Sequence, residues 1–316
     1  MVADKNMPSE SPVADVAGHR KRPIKRRYRF PIAPFVLLIP WFIGIAVFRA
    51  YPILRSFYLS LSHFHILDPY PTFIGLDNYV RMFTNDPLFT ASAIATLRFV
   101  FLGTPIVLTV AFFIAYVLNF KLKGVNLFRT AYYIPSILGG NVAVAILWLQ
   151  MFRNNGLVNA VLGMVGIDPI MWLRSETFAP LVLVMLSAWQ FGSTMLIFLA
   201  ALQNVSPSLY EAAAIDGARK HQMLFRITLP VISPVLLFNT INVMLRHFQE
   251  FNSAFLITEG GPFNATLFMN VYIYRRSFAG FDFGYGSALT WALLLGIGVI
   301  TLILWLTSKF WVHYSD

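Results

Sequence analysis

Six long apolar segments constrain the fold of this chain more than any other feature. They lie at roughly 31–60, 92–118, 131–152, 178–202, 232–257 and 286–311. A helix of about 20 apolar residues crosses the hydrocarbon core of a bilayer, where only elements that satisfy their own backbone hydrogen bonds are stable. Charged residues make up 12% of the sequence, against about 25% in soluble domains. The sequence therefore predicts an all-α integral membrane protein with about six transmembrane helices.

The distribution of Lys and Arg residues indicates how the chain is oriented in the membrane. Most Lys and Arg residues fall in 1–29, in the connections 119–130 and 203–231, and near the C-terminus. In a six-span arrangement these segments share one side of the membrane, and the side enriched in Lys and Arg is the cytoplasmic one. We therefore expect both termini in the cytoplasm, with a disordered basic tail at 1–29, a transmembrane domain at 30–311 and a C-terminus at 312–316. This placement explains the net charge of +10 without nucleic acid as a partner.

The connection 203–231 differs from the others because it is long, charged and rich in helix-forming residues. Ser206, followed by proline, is typical of a helix start, and Gly217 is a natural C-terminal cap. A second helical segment is predicted at roughly 218–226, which Pro230 would end. Two interpretations are open: a capped helix pair at the membrane surface, or a docking element that binds a cytoplasmic partner.

The spacing within this connection follows a known pattern. Glu-Ala-Ala, three residues, Gly, nine residues and Ile-x-Leu-Pro occupy 211–230. Other matching stretches are FIGLDNYVRMF at 73–83, FRTAYYIPSI at 128–137, ITEGGPFNAT at 257–266 and YIYRRSF at 272–278. In these motifs the chain resembles the permease subunits of type I binding-protein-dependent carbohydrate ABC importers, the relatives of maltose and glycerol-3-phosphate permeases. The resemblance covers about residues 30–311.

The resemblance implies a division of labour between subunits. The 203–231 connection would be the coupling-helix loop, which docks on an ATP-binding subunit and passes its closure to the membrane helices. The docking residues carried over by position are Glu211, Ala212, Ala213, Asp216 and Gly217. The implied partners are a second, related permease in a heterodimer, two ATP-binding subunits and an extracytoplasmic solute-binding protein, all at the plasma (inner) membrane of a prokaryote. ATP and Mg²⁺ would be bound by the partner subunits, and this chain would hold no cofactor.

The sequence gives no signal for catalysis in this chain. It contains no G-x-x-x-x-G-K-[ST] phosphate loop and no nucleophile–base constellation. The pair His63-x-His65 has no third ligand nearby, so no metal site is predicted. We expect a non-catalytic, membrane-spanning subunit of an ATP-driven importer, which forms the pathway for a sugar or oligosaccharide and works by alternating access.

The fifth apolar segment carries a polar stripe that cannot face lipid. Its members are spaced 3, 4, 3 and 4 residues apart, as on one helix face: Asn239, Asn242, Arg246, Gln249 and Ser253. An arginine near the bilayer centre costs about 2.5–3.5 kcal/mol on insertion scales, so the stripe must face protein or water. Glu250, on the edge of the stripe, leaves two interpretations open: an Arg246–Glu250 ion pair buried against a neighbouring helix, or a polar wall of the translocation pathway.

The pair Arg246-His247 departs from the resembled family, which usually has small or neutral residues there. We interpret a cation in the pathway as favouring an anionic sugar, such as a uronate oligosaccharide of the alginate type. A neutral sugar stays open, because Arg also donates to hydroxyl groups. Gln190 in the fourth segment is a further candidate pathway residue, with helix–helix contact as its alternative role.

Two other classes of function are open. A secondary transporter driven by an ion gradient would carry carboxylates within its spans, and Glu250 is the only acidic residue well inside one. A membrane anchor would recruit a cytoplasmic protein through 203–231 without conducting a solute. Co-purification with an ATPase separates the importer from the secondary transporter, and solute uptake separates it from the anchor.

Overall fold

A computed structural model of the chain describes residues 32–120 and 124–313. The helices in chain order are α1 Ile32–Ile45, α2 Tyr51–Ser60, α3 Asp77–Thr84, α4 Pro87–Leu118, α5 Val125–Leu138, α6 Val142–Met151, α7 Leu157–Met164, α8 Phe178–Trp189, α9 Gly192–Gln203, α10 Pro207–Ile215, α11 Lys220–Met223, α12 Leu229–Val231, α13 Ser233–Phe248, α14 Met269–Tyr274 and α15 Phe283–Ser308. Short π-helical segments lie at Ala46–Ala50, Leu224–Thr228, Ala254–Thr258 and Arg275–Ala279, and an antiparallel pair joins β1 Ser62–His63 to β2 Thr72–Phe73. The tail predicted at 1–29 lies outside the described residues, as do residues 314–316 of the predicted C-terminal segment.

The chain divides into two compact units at Pro52. The first unit contains α1, the π-helical Ala46–Ala50 and the start of α2. The second unit begins at Ile53 and contains all later elements. The cavities and polar clusters described below all belong to the second unit.

Six membrane crossings are accounted for when each bent helix pair is taken as one span. Three helices are long and apolar enough by themselves: Phe35–Ser60, Pro87–Leu118 and Phe283–Ser308. Three pairs qualify together but bend, by 99° between α5 and α6, by 48° between α8 and α9, and by 70° between Lys220–Val231 and α13. Each predicted apolar segment corresponds to one of these six.

Glycines allow two of the bends. At the 99° bend, a β-carbon on Gly139 would lie 2.1 Å from Cδ of Gln190, whose Nε2 donates to the Gly139 carbonyl at 3.0 Å. Asn141 then caps α6, because its Oδ1 accepts a backbone N–H of that helix at 3.1 Å. At the 48° bend, a β-carbon on Gly192 would lie 2.4 Å from the carbonyl oxygen of Tyr132. Close approach between neighbouring helices therefore fixes both bends.

Helix α4 lies at the centre of the second unit and packs against α8, α9 and α13. We call the end of this bundle where α9 leads into α10 the loop end, and the opposite end, where α4, α8 and α15 begin, the far end. One apolar core cluster surrounds the far end of α4 and includes Phe99 and Leu183. A second cluster surrounds its loop end and includes Ala111, Phe198 and Leu202.

Two helix boundaries differ from the prediction. The fifth apolar segment was expected to extend to about residue 257, but α13 ends at Phe248. The Phe248 carbonyl, which the helix end leaves without an internal partner, accepts Nδ2 of Asn270 at 3.2 Å. Pro230 was expected to end the second loop segment, but it occupies the first turn of α12, where its missing N–H is not needed. The break falls instead at Ile232.

A buried carboxylate joins three helices at the far end. Asp86 is 7% exposed and caps α4, because its Oδ1 accepts the N–H groups of Leu88 at 3.0 Å and Phe89 at 3.2 Å. Its Oδ2 accepts the hydroxyls of Tyr272 and Tyr285, which lie in α14 and α15. Burial alone would raise the pKa of Asp86, but the two tyrosines and the Phe89 N–H hold it below its ordinary value of 3.8. Burial and the Asp86 hydrogen bond raise the pKa of Tyr272 to about 12.

We expect Asp86→Ala to destabilise the far end by about 2–3 kcal/mol, since it removes a helix cap and leaves two buried hydroxyls without their acceptor. Thermal unfolding of the purified protein in detergent measures the effect, with the exposed Asp77→Ala as the matched control. Because the folded pKa is lowered, the contribution of Asp86 is complete above its ordinary pKa and is lost as the pH falls through the folded value. Equal midpoints for the two variants would contradict the prediction.

Candidate functional site

The 203–231 connection folds as two helical segments joined by one sharp turn. The Ala218 N–H donates to the Ala213 carbonyl at 2.9 Å and the Gly217 N–H to the Ala214 carbonyl at 3.1 Å, as in a Schellman motif. Gly217 has φ +76°, a left-handed conformation that glycine adopts without strain. The predicted helix end at Gly217 is confirmed by this geometry.

One side-chain contact joins the two segments, because the Tyr210 hydroxyl lies 2.9 Å from Oγ1 of Thr228. The second segment is capped within itself, since the Arg219 N–H donates to Oε1 of Gln222 at 2.7 Å. Ser206 precedes α10 as predicted, but it does not cap the helix, because its hydroxyl is 2.8 Å from that of Ser208. The two helical segments are therefore joined by the turn at Gly217 and by the Tyr210–Thr228 contact.

The predicted docking residues form a continuous exposed surface on this element. Ala213 is half-buried, and the others are exposed: Glu211, Ala212, Asp216 and Gly217. Ile215 beside them is 87% exposed. Within the described ranges, neither acidic side chain takes part in an ion pair. The surface thus offers small side chains, the apolar Ile215 and two carboxylates without an ion pair to a partner.

Of the two interpretations left open for the polar stripe, the Arg246–Glu250 ion pair is not formed. Arg246 donates from Nη2 to Oγ1 of Thr194 at 2.9 Å and from Nη1 to Oγ of Ser193 at 3.4 Å. Oε1 of Glu250 accepts the N–H of Ser253 at 3.0 Å and its hydroxyl at 2.8 Å. Because α13 ends at Phe248, Glu250 lies outside the helix and the spacing that the ion pair requires is lost.

His247 connects three helices beside the arginine. It is 3% exposed, with Nδ1 2.9 Å from Oγ1 of Thr104 in α4 and Nε2 2.6 Å from Oγ of Ser187 in α8. A β-carbon on Gly103 would lie 3.0 Å from the His247 ring. Both ring nitrogens are satisfied, which is the usual state of a buried polar group. His247 therefore holds α4, α8 and α13 in place around the polar region.

Two adjoining cavities, here called the central cavities, lie between α8, α13 and the bend after α5. Their volumes are ≈ 140 Å³ and ≈ 230 Å³. Both are lined by Ser187, Gln190, Gln249 and Glu250. The smaller extends to Asn141 and Ser253, and the larger to Arg246 and His247. Polar side chains from separate segments of the chain thus converge on one region of the second unit.

Six of the eight predicted pathway residues line the central cavities: Gln190, Arg246, His247, Gln249, Glu250 and Ser253. The other two do not. Asn239 is buried and donates to the Thr194 carbonyl at 3.4 Å, and Asn242 donates to the Phe238 carbonyl of its own helix at 2.8 Å.

Ser187 lines both central cavities but was not predicted from the sequence. The Gly-Gly-Asn interruption at 139–141 marks the bend, and broken apolar segments are a pointer to binding sites in transporters.

The comparison with known families decides the identity. Residues 89–316 match the family described as binding-protein-dependent transport system inner membrane component. The chain belongs to this family. It is a multi-pass permease of the inner membrane and a non-catalytic subunit, with ATPase activity in partner subunits of the importer. The predictions of an importer permease and of a non-catalytic chain are confirmed.

Several relatives cover nearly the whole permease. It is 44% identical over 288 residues to "Probable ABC transporter permease protein YesP" of Bacillus subtilis (strain 168), covering 90% of this chain and 93% of that protein. It is 35% identical to the lactose transport system permease protein LacF of Rhizobium radiobacter, covering 88% and 94%. It is 34% identical to the sn-glycerol-3-phosphate transport system permease protein UgpA of Yersinia pestis, covering 85% and 92%.

A solved structure shares the fold. The permease superposes with a TM-score of 0.75 on a chain of a bacterial alginate ABC transporter in complex with alginate pentasaccharide-bound periplasmic protein. The match covers 90% of the permease and 96% of that chain at 22% identity. The predicted all-α importer permease fold is therefore confirmed.

Proposed function

We propose that this permease lines the translocation pathway for an oligosaccharide that carries carboxylate groups, as uronate sugars do. The relatives named for lactose and sn-glycerol-3-phosphate transport, and the fold shared with an alginate transporter, support a saccharide or related polyol as the solute. The central cavities are lined by amide, hydroxyl and guanidinium groups, which suit sugar hydroxyls and carboxylates.

The state of Arg246 is the observation that carries this proposal. Its guanidinium has five N–H donors, and two contacts to Ser193 and Thr194 leave donors that face the larger central cavity. No carboxylate of residues 32–120 or 124–313 forms an ion pair with it. Glu250 lines the same cavity but accepts from Ser253, so the guanidinium is not neutralised by a direct ion pair and favours an anionic solute.

The proposal includes the orientation and the partners of the subunit. The loop end faces the cytoplasm, so that both termini are cytoplasmic and the far end faces the extracytoplasmic solute-binding protein. A second, different permease completes the pathway, and two ATP-binding subunits bind ATP and Mg²⁺. One of them receives the surface of Glu211, Ala212, Ala213, Asp216 and Gly217, which we define as the docking surface.

The docking surface gives a physical route for alternating access. Closure of the ATP-binding subunits displaces α10, which Tyr210 and Thr228 tie to the start of the following span. That span bends by 70° into α13, the helix that carries Arg246 and His247. Movement of the loop therefore reaches the wall of the central cavities through a continuous piece of chain.

Reconstitution of the complete complex in proteoliposomes tests the function. With its solute-binding protein present, an acidic oligosaccharide is expected to stimulate ATP hydrolysis and to accumulate in the vesicles. Uptake that follows an imposed ion gradient without ATP would contradict the proposal, as would ATP hydrolysis that no saccharide stimulates.

A further inference from the structure

A separate polar cavity opens at the far end of the bundle, between the end of α6 and the segment before α8. Its volume is ≈ 610 Å³. Besides two leucines it is lined by Gln150, Arg153, Asn154, Asn155 and Arg174. This volume lies within the range of about 300–1,000 Å³ that small-molecule sites occupy. We call it the far cavity.

One buried amide builds the frame of the far cavity. Asn159 is 5% exposed, and its Nδ2 donates to the carbonyls of Asn154 and Ile170, both at 2.9 Å. Its Oδ1 accepts the Ile170 N–H at 3.1 Å and the Trp172 Nε1–H at 2.9 Å. The residue thus uses all its donors and acceptors to tie the wall at 153–155 to the wall that leads to Arg174.

Local packing also fixes the position of Arg153. A β-carbon on Gly156 would lie 2.3 Å from the Met151 carbonyl oxygen, and the Gly156 N–H donates to the Arg153 carbonyl at 2.8 Å. The chain therefore leaves α6 through a tight turn that only glycine fits. On the other wall, the Trp172 ring packs edge-on against Phe152 with centroids 5.5 Å apart. Both arginines are carried on backbone that the frame holds rigid.

The two guanidinium groups have no counter-ion in the described part of the chain. Neither Arg153 nor Arg174 forms an ion pair or donates a side-chain hydrogen bond to another described residue. The acidic residues of the same connection, Asp168 and Glu176, do not line the far cavity. Two positive charges and three side-chain amides therefore face one concave space together.

The far cavity lies on the same helix face as the smaller central cavity. Asn141 and Ala145 line the central cavity, and Leu149 lines the far cavity. These positions are four residues apart, so they follow one face of α6 over about 12 Å of helix length. The two cavities therefore border one face of α6, with Ala145 and Leu149 of the far-end apolar cluster between them.

We propose that the far cavity is an entry site that binds a carboxylate-bearing saccharide unit through Arg153 and Arg174. The inference rests on the proposed function and extends it to a second anion-binding position in the pathway. The planar guanidinium fork matches a carboxylate, and the amides of Gln150, Asn154 and Asn155 match sugar hydroxyls. The open depression is large enough for a saccharide unit, and the protein alternative is an outcome of the test.

Thiol protection at the cavity tests the proposal without relying on coupled ATP hydrolysis. The chain contains no cysteine, so N155C places the only thiol of this subunit in the cavity wall. In the purified complex in nanodiscs, a uronate trisaccharide is expected to slow maleimide labelling at position 155, and its carboxyl-reduced counterpart is not. Adding R153Q and R174Q is expected to raise the half-protecting concentration about tenfold or more, the scale of losing charged hydrogen bonds.

The controls separate a saccharide site from other causes of protection. R275Q, in the N155C background, removes a charge from another connection and is expected to leave protection unchanged. Equal protection by both trisaccharides, or unchanged protection with R153Q and R174Q, would overturn the entry site. Protection by the solute-binding protein alone, with none by saccharide, would also overturn it and assign the surface to a protein contact. If the entry site is overturned but saccharide still stimulates ATP hydrolysis, the proposed function stands. If saccharide does not stimulate ATP hydrolysis by the unmodified complex, the proposed function itself is contradicted.

Discussion

Gly217→Trp is expected to abolish transport and sugar-stimulated ATP hydrolysis while the subunit still inserts into the membrane. A β-carbon at Gly217 meets no atom of this chain within 4 Å, so a large side chain projects from the docking surface without a clash inside the subunit. The bulk would hold the ATP-binding subunit away from Glu211 and Ala212. We expect stimulated hydrolysis to fall about 30-fold or more, the effect of losing one hot-spot contact of about 2 kcal/mol.

A matched variant isolates the effect of bulk from that of backbone strain. Gly217→Ala has the same left-handed backbone position, with φ +76°, and the same strain of about 1–2 kcal/mol for a residue with a β-carbon. It should therefore retain most of the coupling that Gly217→Trp loses.

Glu211→Arg is expected to uncouple ATP hydrolysis from transport in the same way, because it reverses a charge on the docking surface. Glu176→Arg at the far end serves as its control. Normal coupled hydrolysis in both Gly217→Trp and Glu211→Arg would remove the docking role.

Arg246→Ala is expected to weaken transport of an acidic oligosaccharide by about 10- to 100-fold, and of a neutral one much less. A hydrogen bond to a charged group contributes about 1.5–3 kcal/mol. Only the acidic solute has carboxylates, so only it forms hydrogen bonds with Arg246 in which both groups are charged. Apparent KM and rate of uptake are measured for a uronate oligosaccharide and its carboxyl-reduced form. Arg246→Lys should retain part of the preference, because the charge remains while the planar fork is lost.

Arg98→Ala provides the matched control for this prediction. Arg98 is also a charged residue of a spanning helix, α4, but it is exposed and lines none of the three cavities described above. It should leave the ratio of acidic to neutral uptake unchanged. Equal losses for both sugars with Arg246→Ala would contradict the charge argument and leave Arg246 with a structural contact to Thr194.

The number and place of the spans could be predicted from the sequence, because apolar length is a local property that the bilayer imposes. The bends could not. The 99° bend depends on Gln190 contacting Gly139, which lies 51 positions away in the chain. The end of α13 depends similarly on Asn270, whose amide satisfies the Phe248 carbonyl. Contacts of this kind are tertiary, and no periodicity reports them.

The helix end at Gly217 could be predicted, in contrast to the bends, whereas the docking role of this surface stays a prediction. Glycine at a helix end and alanine within a helix act through local backbone geometry, so Gly217 is found where the pattern placed it. The polar stripe was predicted only in part. Arg246 and Gln249 line a central cavity as one helical face would require, but Ser253 arrives there from beyond the helix. Asn239, on the same predicted face, is instead buried against α9.

Crosslinking from position 211 tests the central claim most directly. The claim is that a separate ATP-binding subunit binds the loop around Gly217 and moves the membrane helices by moving this loop. E211C places the only thiol in this subunit, and a second thiol is introduced on the surface of the ATP-binding subunit. A crosslinked product is expected in the active complex, with arrest of both hydrolysis and uptake once the bond forms. A complex that hydrolyses ATP in response to sugar while position 211 never crosslinks to an ATP-binding subunit would contradict the claim.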